Sequence, residues 1–442
     1  MSFSGNPTPR AVSRRAALIG GGLGMTTLIK SLATGLPPAW LTPSGLAYAQ
    51  AMDMSPPQTL IMSTSRSGDP VNINCPGSVG NNRSPNPNLT YSQADFGRSR
   101  QVRCASEWGA LPQDLRDHLA FVHYEALTAA HPEFIKAMTL HGSVMSPQGN
   151  SADMLSSALA TLYPTGICKQ IEPIPLSDDP VTFAGQPLQS VKPSRLKELF
   201  AEQESSLQDL RGVRDEVLDE LYQGLKSSGT RPQRKFLDRY LKSRDQARSI
   251  GNELGDLLNE LSTDEDTIDG AQDQIIAAVA LAQLKIAPVI NIKIPFGGDN
   301  HNDSDLSEEA EETRSGIGHI GNLWERLRAS NLQNQVSFAM LNVFGRTFER
   351  NSSGGRNHNR YHGVMVAFGA NIRGGVYGGA TNDGRAQNMN PEDGGVVASG
   401  GIQAANGLLA AGSTLALALG HTQDSIRERI RDPQFISAML HS

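Results

Sequence analysis

The chain has 442 residues and a formal net charge of −6. A chain of this length can bury a large core under more than one layer of secondary structure. Its acidic balance argues against nucleic acid or an anionic membrane surface as a partner, because both of these attract basic proteins.

The first 49 residues are predicted to form a twin-arginine export signal. Arg14 and Arg15 precede a short, weakly apolar stretch rich in glycine, and residues 47–49 (Ala-Tyr-Ala) fit a small-x-small cleavage site. The apolar stretch is interrupted by Lys30 and is shorter than the roughly 20 residues that a spanning helix requires. We therefore expect a soluble chain of residues 50–442 in the periplasm or outside the cell, with the twin-arginine export machinery as a partner and no permanent membrane span.

The cysteines are Cys75, Cys104 and Cys168, and no two of them form a CxxC pair. This spacing disfavours a structural zinc site of the usual kind. One disulfide can form in an oxidising compartment, so we predict that Cys75 pairs with Cys104 and that Cys168 is a buried free thiol.

The beginning of the mature chain predicts two strands separated by loops. Thr59–Ser63 and Leu119–His123 are short apolar runs of the kind that form buried strands. Residues 72–104 between them are rich in Asn, Pro and Gly, and we expect them to be irregular.

Residues 192–262 differ from the rest, because their apolar side chains recur every three or four positions. That period is helical, and a break at residues 227–232 divides the segment into two helices. We predict an antiparallel helical hairpin with charged outer faces, inserted into the larger domain. It is either a structural insertion packed on the core or an arm that caps a site or binds a protein partner.

Helical and strand patterns then alternate toward the C-terminus. The predicted elements are a helix over Ile275–Ile286, a strand over Pro288–Ile294, a helix from about Asp305 to Ala329, and strands over Val336–Leu341 and Val364–Phe368. Asp305 followed by Glu308 is a pattern that caps helix starts. The alternation predicts an α/β fold, with a mainly parallel sheet sandwiched by helices.

Three polar segments come just after predicted strands: Gly68-Asp69, residues 297–303 and residues 355–362. In a parallel sheet, such segments converge on one edge. Asp and His at short spacing after a glycine turn suit a divalent metal, although Asp and Asn in glycine-rich loops also serve simply as turn formers. Arg346 could bind a phosphate or sulfate bidentately, or could hold its loop through a salt bridge.

Several motifs resemble those of one family. Residues 344–347 (Phe-Gly-Arg-Thr), 354–358 (Gly-Gly-Arg-Asn-His) and the glycine-rich run 374–378 are similar to motifs of the family catalogued as domain of unknown function 1501. Its members are commonly exported by twin-arginine signals and are grouped with the alkaline phosphatase and sulfatase superfamily. The resemblance covers most of the mature chain and implies an alkaline phosphatase-like α/β fold with a metal site at the sheet edge.

The resemblance also implies a set of ligands. Asp69 matches the family's first aspartate, and His358 matches its last histidine. Asp299 and His301 match the Asp and His of its middle motif. These four residues would hold a divalent metal such as zinc, manganese or calcium, and Arg346 would steady the substrate anion.

The chain departs from the family pattern at several positions. Val343 stands where the family has Glu, Asn357 where it has Asp, and Asn300 where it has Thr. Ala130 precedes His131 where many members have Ser-His. Loss of two carboxylates weakens a site for a divalent cation, and alanine cannot act as a nucleophile.

These departures divide the functional expectation in two. The favoured hypothesis is an exported binding or assembly protein on an alkaline phosphatase/sulfatase-like scaffold with a degraded site. The helical hairpin and the Asn- and Gly-rich loops would then form its interaction surface. The alternative is a metal-dependent hydrolase of phosphate or sulfate esters.

Overall fold

The computed structural model of the protein describes residues 58–200, 220–227 and 257–441, with a few isolated positions between them, apart from residues 83, 148, 150, 265 and 266. The predicted signal over residues 1–49 lies outside the described residues, as does most of the predicted hairpin over 192–262. Two described parts of the hairpin segment, Pro193–Phe200 and 220–227, are helical, and the pairing of its helices remains a prediction. None of the described helices combines the length and the hydrophobicity needed to cross a bilayer.

Strands and helices alternate along the described chain. The strands are β1 (Thr59–Ser65), β2 (Tyr91–Phe96), β3 (Ser99–Ala105), β4 (Ala120–Tyr124), β5 (Ile174–Pro175), β6 (Val181–Phe183), β7 (Gln186–Leu188), β8 (Val289–Ile292), β9 (Val336–Asn342), β10 (Gly345–Arg350), β11 (Arg356–Asn359), β12 (Gly363–Phe368) and β13 (Gly375–Tyr377). The α-helices are α1 (Val71–Asn74), α2 (Ser106–Ala110), α3 (Gln113–Arg116), α4 (Phe134–Met138), α5 (Leu155–Leu162), α6 (Pro193–Phe200), α7 (Ala271–Gln283), α8 (Ser307–Ala329), α9 (Gly407–Ala418) and α10 (Gln423–Arg429).

Seven strands form the central sheet, in the order β13-β4-β12-β9-β1-β8-β5. Strands β9, β1, β8 and β5 are parallel to their neighbours in that series, and β13 is parallel to β4. Strand β12 runs antiparallel to both β4 and β9, so it is the one reversed strand among the seven. The predicted α/β fold with a mainly parallel sheet is therefore confirmed.

Two hydrophobic cores lie on opposite faces of this sheet. Ile61 packs into one core with residues of α7 and α8, and its neighbours Leu60 and Met62 pack into the other with residues of α5 and α9. Successive side chains of a strand point to opposite faces, so a strand covered on both sides has no exposed positions. This is why β1 appears in the sequence as a continuous apolar run.

Two predictions for local structure were wrong. Residues 72–104 were expected to be irregular because they are rich in Asn, Pro and Gly, but residues 91–105 form the antiparallel hairpin of β2 and β3. Most side chains of this hairpin are polar and at least partly exposed, so it has no apolar strand pattern. The start of α8 is capped further upstream than the predicted Asp305–Glu308 pair. The Asp303 carboxylate accepts hydrogen bonds from the backbone N–H groups of Glu308 and Glu309, and Asp305 accepts one from Ser307.

The cysteines also differ from expectation, because all three are free thiols. Cys75 and Cys104 are fully buried in the same hydrophobic core, but they do not form the predicted disulfide. Burial raises the pKa of each of these two thiols to about 12, so both stay protonated and pack as small apolar side chains. Cys168 is only partly buried.

Candidate metal centre

The three polar segments meet at the carboxyl edge of the parallel strands. Gly68-Asp69 follows β1, and residues 297–303 follow β8. The third segment, residues 355–362, precedes β12 rather than following a strand of the sheet. It reaches the same edge because β12 is reversed, so the start of β12 lies beside the ends of its neighbours.

Four side chains lie close together at this edge: His131 after β4, Asp299 and His301 after β8, and His358 in β11. The Asp299 carboxylate lies 3.5 Å from His131 Nε2 through Oδ2, and 3.3 Å from His301 Nε2 through Oδ1. His358 Nε2 lies 3.8 Å from Asp299 Oδ1 and 2.8 Å from His301 Nε2. Donor atoms of His131, Asp299 and His358 all lie within 4.8 Å of one another.

Backbone carbonyls fix the protonation of two of these rings. His131 Nδ1 donates to the Arg66 carbonyl at 2.8 Å, and His358 Nδ1 donates to the Ala129 carbonyl at 2.6 Å. A carbonyl oxygen can only accept, so Nδ1 carries the proton in both rings. In the neutral rings His358 Nε2 then accepts a hydrogen bond from His301 Nε2, and His131 Nε2 presents a lone pair to the Asp299 carboxylate. A cation between His131 and Asp299, either a proton or a metal ion, satisfies both groups. Carbonyl-anchored imidazoles of this kind are typical of metal ligands.

The charge states favour cation binding. Burial lowers the pKa of His358, and neighbouring positive charge on Arg346 adds to the effect, so its ring stays neutral over a wider pH range. For Asp299, partial burial acts to raise the pKa, but Arg346, His301 and His131 together lower it below its usual value. Neutral imidazole and ionised carboxylate are the forms that bind metal.

The four donors fit a divalent transition metal. Two ligands that are each about 2.0–2.1 Å from a tetrahedral zinc ion lie roughly 3.3 Å apart, and the four separations given above, from 2.8 to 3.8 Å, bracket that value. Three imidazole nitrogens and one carboxylate suit zinc and its neighbours, whereas calcium prefers a shell of six to eight oxygens. Of the three metals expected from the resemblance, zinc therefore fits this donor set best.

The Phe344 ring packs against two of the histidines. The Phe344 ring centroid lies 4.2 Å from that of His358 and 5.0 Å from that of His131. Gly68 makes room for this ring: its φ is +66°, and a Cβ atom there would lie 2.0 Å from Phe344. Any other residue at position 68 would strain the turn and displace the ring.

Arg346 does not have the role expected of it. Its side chain is fully buried, and it donates to the Gly68 carbonyl at 2.6 Å and to the Ser67 carbonyl at 2.8 Å. It also donates to the Gly298 carbonyl at 3.0 Å and to Asp299 Oδ1 at 3.1 Å. With four of its five N–H hydrogens used in this way, Arg346 ties the loops after β1 and β8 together and orients Asp299. The geometry matches the loop-holding interpretation rather than a clamp on a substrate anion.

The donor atoms that all lie within 4.8 Å of one another belong to His131, Asp299 and His358, and Asp69, which was expected to be a ligand, is not among them. Its side chain is buried, Ser65 Oγ donates to its Oδ1 at 3.2 Å, and Oδ2 has no hydrogen-bond partner among the described residues. Burial raises the pKa of Asp69 to about 6, against the lowering influence of Lys293, Ser65 and Arg346. A carboxyl group this deep in the sheet edge is reached less easily than Asp299.

His131, which was not expected to be a ligand, belongs to the group of potential metal donors. It was noted in the sequence only as the partner of Ala130, because a single histidine in a loop carries little signal. Its place after β4, a strand that ends at the same edge as β1 and β8, is the feature that could have identified it.

At two of the positions that depart from the family pattern, the side chain has surroundings other than the donors. Val343 is fully buried in the apolar core. Asn357 is exposed, and its Oδ1 accepts a hydrogen bond of 3.4 Å from the Asn351 amide. The four-donor group is complete without a carboxylate at either position.

Comparison with known proteins gives little further information. No protein-family profile matches the chain, and no curated protein matches it. One solved structure to which it is similar is described as "Crystal structure of Ps i-CgsB in complex with k-i-k-neocarrahexaose". The similarity covers 86% of this chain and 75% of the other, with 11% sequence identity and a TM-score of 0.30. A TM-score this low establishes neither a common fold nor a common activity.

Proposed function

We propose that this protein is an exported metalloprotein of alkaline phosphatase-like fold that hydrolyses phosphate or sulfate esters at the group formed by His131, Asp299, His301 and His358. The observation that carries the proposal is the convergence of three imidazole Nε2 atoms on one carboxylate, with two of the rings anchored through Nδ1 to backbone carbonyls. The export signal, the inserted hairpin and the finer fold assignment are part of the same proposal and rest on the sequence.

The side chains present define how such a site would work. A divalent cation held there supplies a Lewis acid for an ester oxygen and lowers the pKa of water. Ala130 offers no hydroxyl group beside His131, which argues against a covalent intermediate at that position. Asp299 has half of its side chain exposed, so the centre is open to solvent and to a substrate. Arg346 keeps the carboxylate of Asp299 ionised and oriented.

A second function is favoured by a specific observation. Four of the five N–H hydrogens of Arg346 are directed to three carbonyls and to Asp299, so this side chain is engaged by the loops rather than by a substrate anion. An exported binding or assembly protein would need the metal only to shape its surface. Under this alternative, the metal is bound but ester hydrolysis is absent.

One experiment separates the two functions. Protein purified from the periplasm is analysed for metal content and assayed against p-nitrophenyl phosphate and p-nitrophenyl sulfate, beside the His131→Ala/His358→Ala variant. The hydrolase predicts about one equivalent of transition metal and an activity that chelation removes and metal restores. Stoichiometric metal without turnover of any ester supports the binding protein. A metal-free wild-type protein that takes up no added zinc would rule out both forms of the proposal.

A further inference from the structure

A fully buried ion pair lies behind the candidate metal centre. Arg356 Nε donates to Glu309 Oε2 at 2.6 Å, and Arg356 Nη2 donates to Glu309 Oε1 at 3.3 Å. Both side chains are completely inaccessible to solvent. Arg356 is the first residue of β11, two positions before His358, and Glu309 lies in the first turn of α8.

Glu309 gathers amide donors from three other segments. Asn300 Nδ2 donates to its Oε2 at 2.8 Å. Asn86 and Asn74 donate to its Oε1 at 3.1 and 3.2 Å. Asn300 lies between Asp299 and His301 in the sequence, so one carboxylate holds the loop that carries two of the four metal donors.

Arg356 ties the same carboxylate to the strand that carries His358. Its Nη1 donates to the Phe348 carbonyl at 2.5 Å, and its backbone N–H donates to the Asn300 carbonyl at 3.2 Å. The approach of the two segments is close: a Cβ atom on Gly355 would lie 2.2 Å from the Asn300 oxygen and 2.3 Å from the His301 oxygen. The separation of His301 from His358 therefore depends on this contact.

Energy alone does not explain such a pair. Burying two charges costs several kcal/mol in desolvation, and apolar replacements of buried ion pairs are often neutral or stabilising. What the pair provides is a fixed distance between two loops, since a salt-bridged carboxylate with three further amide donors has few alternative arrangements.

We propose that Glu309 and Arg356 are positioning residues that set the spacing of the Asp299–His301 loop from His358, and so the affinity and coordination geometry of the metal centre. This inference rests on the metal centre of the proposed function. Neither residue has a hydrogen bond to a metal donor, so Glu309 acts through Asn300 and Arg356 acts through β11.

The test compares two buried ion pairs of the same protein. Glu309→Gln weakens the first pair, and Asp153→Asn weakens the second, in which Arg429 Nη2 donates to Asp153 Oδ2 at 3.0 Å with both side chains buried. Neither Asp153 nor Arg429 belongs to the converging group. Each full-length variant is titrated with Co²⁺ at a temperature at which it is folded, and its affinity and visible absorption spectrum are recorded.

We expect Glu309→Gln to weaken Co²⁺ binding by roughly 10- to 100-fold, as loss of an outer-shell partner does, and to alter the absorption bands that report coordination geometry. Asp153→Asn should lower the melting temperature and leave affinity and spectrum unchanged. Asn300→Ala, which removes one amide donor and leaves the ion pair in place, should weaken Co²⁺ binding in the same direction. It also serves as the test if Glu309→Gln does not fold.

Two outcomes would overturn the inference, and they differ. If the wild-type protein binds Co²⁺ but Glu309→Gln and Asn300→Ala bind it within about twofold of wild type, the pair is only structural and the metal centre stands. If the wild-type protein does not bind Co²⁺, the proposed metal centre fails and the positioning role fails with it.

Discussion

Two groups of histidines lie close together in this protein and are opposite in kind. His358 belongs to the partly exposed group around Asp299. Four residues later, His362 is fully buried and pairs with His123, whose Nδ1 lies 2.9 Å from His362 Nε2. We refer to His123 and His362 as the buried histidine pair.

Every nitrogen of the buried histidine pair has a partner of the right kind. The Asn72 amide donates to His362 Nδ1 at 3.2 Å, His362 Nε2 donates to His123 Nδ1, and His123 Nε2 donates to the Pro76 carbonyl at 3.0 Å. The chain of donors runs in one direction, so both rings are neutral and satisfied. Burial lowers the pKa of His123 to about 4 and that of His362 well below its ordinary value.

The two groups differ in what their ring nitrogens face, and this difference separates a candidate ligand histidine from a structural one. In the buried histidine pair no lone pair is left over, so a metal has nothing to bind. In the exposed group, Nδ1 of His131 and of His358 is anchored and Nε2 points at a shared carboxylate. The Nε2 atom of His131 faces a carboxylate rather than a hydrogen-bond donor, and this contact distinguishes the candidate metal centre from the buried histidine pair.

The largest expected effect is on metal affinity. His131→Ala and His358→Ala should each reduce zinc affinity by more than about 100-fold, because even outer-shell partners contribute roughly 10- to 100-fold. His123→Gln, in the buried histidine pair, should leave it nearly unchanged. Isothermal titration calorimetry with zinc at pH 7.5 measures all three. Equal losses in the exposed and the buried variants would remove the distinction between the two groups.

A smaller effect is expected on the free energy of unfolding, which protonation of His123 should lower by about 2 kcal/mol at acidic pH. The folded-state pKa of His123 is about 4, below the unfolded value, so the unfolded chain binds the extra proton and stability falls as pH drops from about 6.5 toward 4. At pH 5 this group alone should lower the free energy of unfolding by about 2 kcal/mol relative to pH 7.5. His123→Gln keeps a donor and an acceptor but does not titrate.

Urea unfolding at pH 7.5 and pH 5, with chelator present, tests this prediction. Titrating groups outside the buried histidine pair, including Asp69, whose raised pKa acts in the opposite direction, are common to both proteins and cancel in the comparison. Wild type should lose about 2 kcal/mol more than His123→Gln. An identical loss in the two proteins would mean that the buried histidine pair does not stay neutral.

The smallest predicted effect is on stability and concerns the contact between Gly68 and the Phe344 ring, which packs against His131 and His358. Gly68→Ala should destabilise the protein by about 1–2 kcal/mol, since the new methyl group collides with Phe344 at a backbone conformation that alanine disfavours. Gly80→Ala is the matched control, because no atom lies within 4 Å of a Cβ at that position. Thermal unfolding of both variants gives the comparison, and equal melting temperatures would argue that Phe344 moves freely under the histidines.

Sequence reasoning recovered the parts of the molecule that depend on burial. Strands such as β1 and β9 are covered on both faces, so their apolar runs are unambiguous. The hairpin of β2 and β3 was missed because its side chains are largely polar and it lies in an Asn-, Pro- and Gly-rich segment.

The candidate site was predicted only in part, for a different reason. Asp299, His301 and His358 were found through short motifs, whereas His131 stands alone in its loop. Three of the hydrogen-bond partners of Arg346 are backbone carbonyls, which every residue type carries, so the sequence does not reveal them. The direction of the Asp69 side chain, toward the candidate metal centre or into the sheet edge, depends on the turn at Gly68, which the composition does not determine.

The anchoring of His358 has a consequence for how the protein is made. Its Nδ1 partner, the Ala129 carbonyl, lies 229 positions earlier in the chain. Such a contact requires β4 and the segment before β12 to be brought together over a long sequence separation, which is slow to form. Under the proposed function, metal binding therefore requires the assembled sheet, and a bound ion would distinguish completely folded molecules from incompletely folded ones.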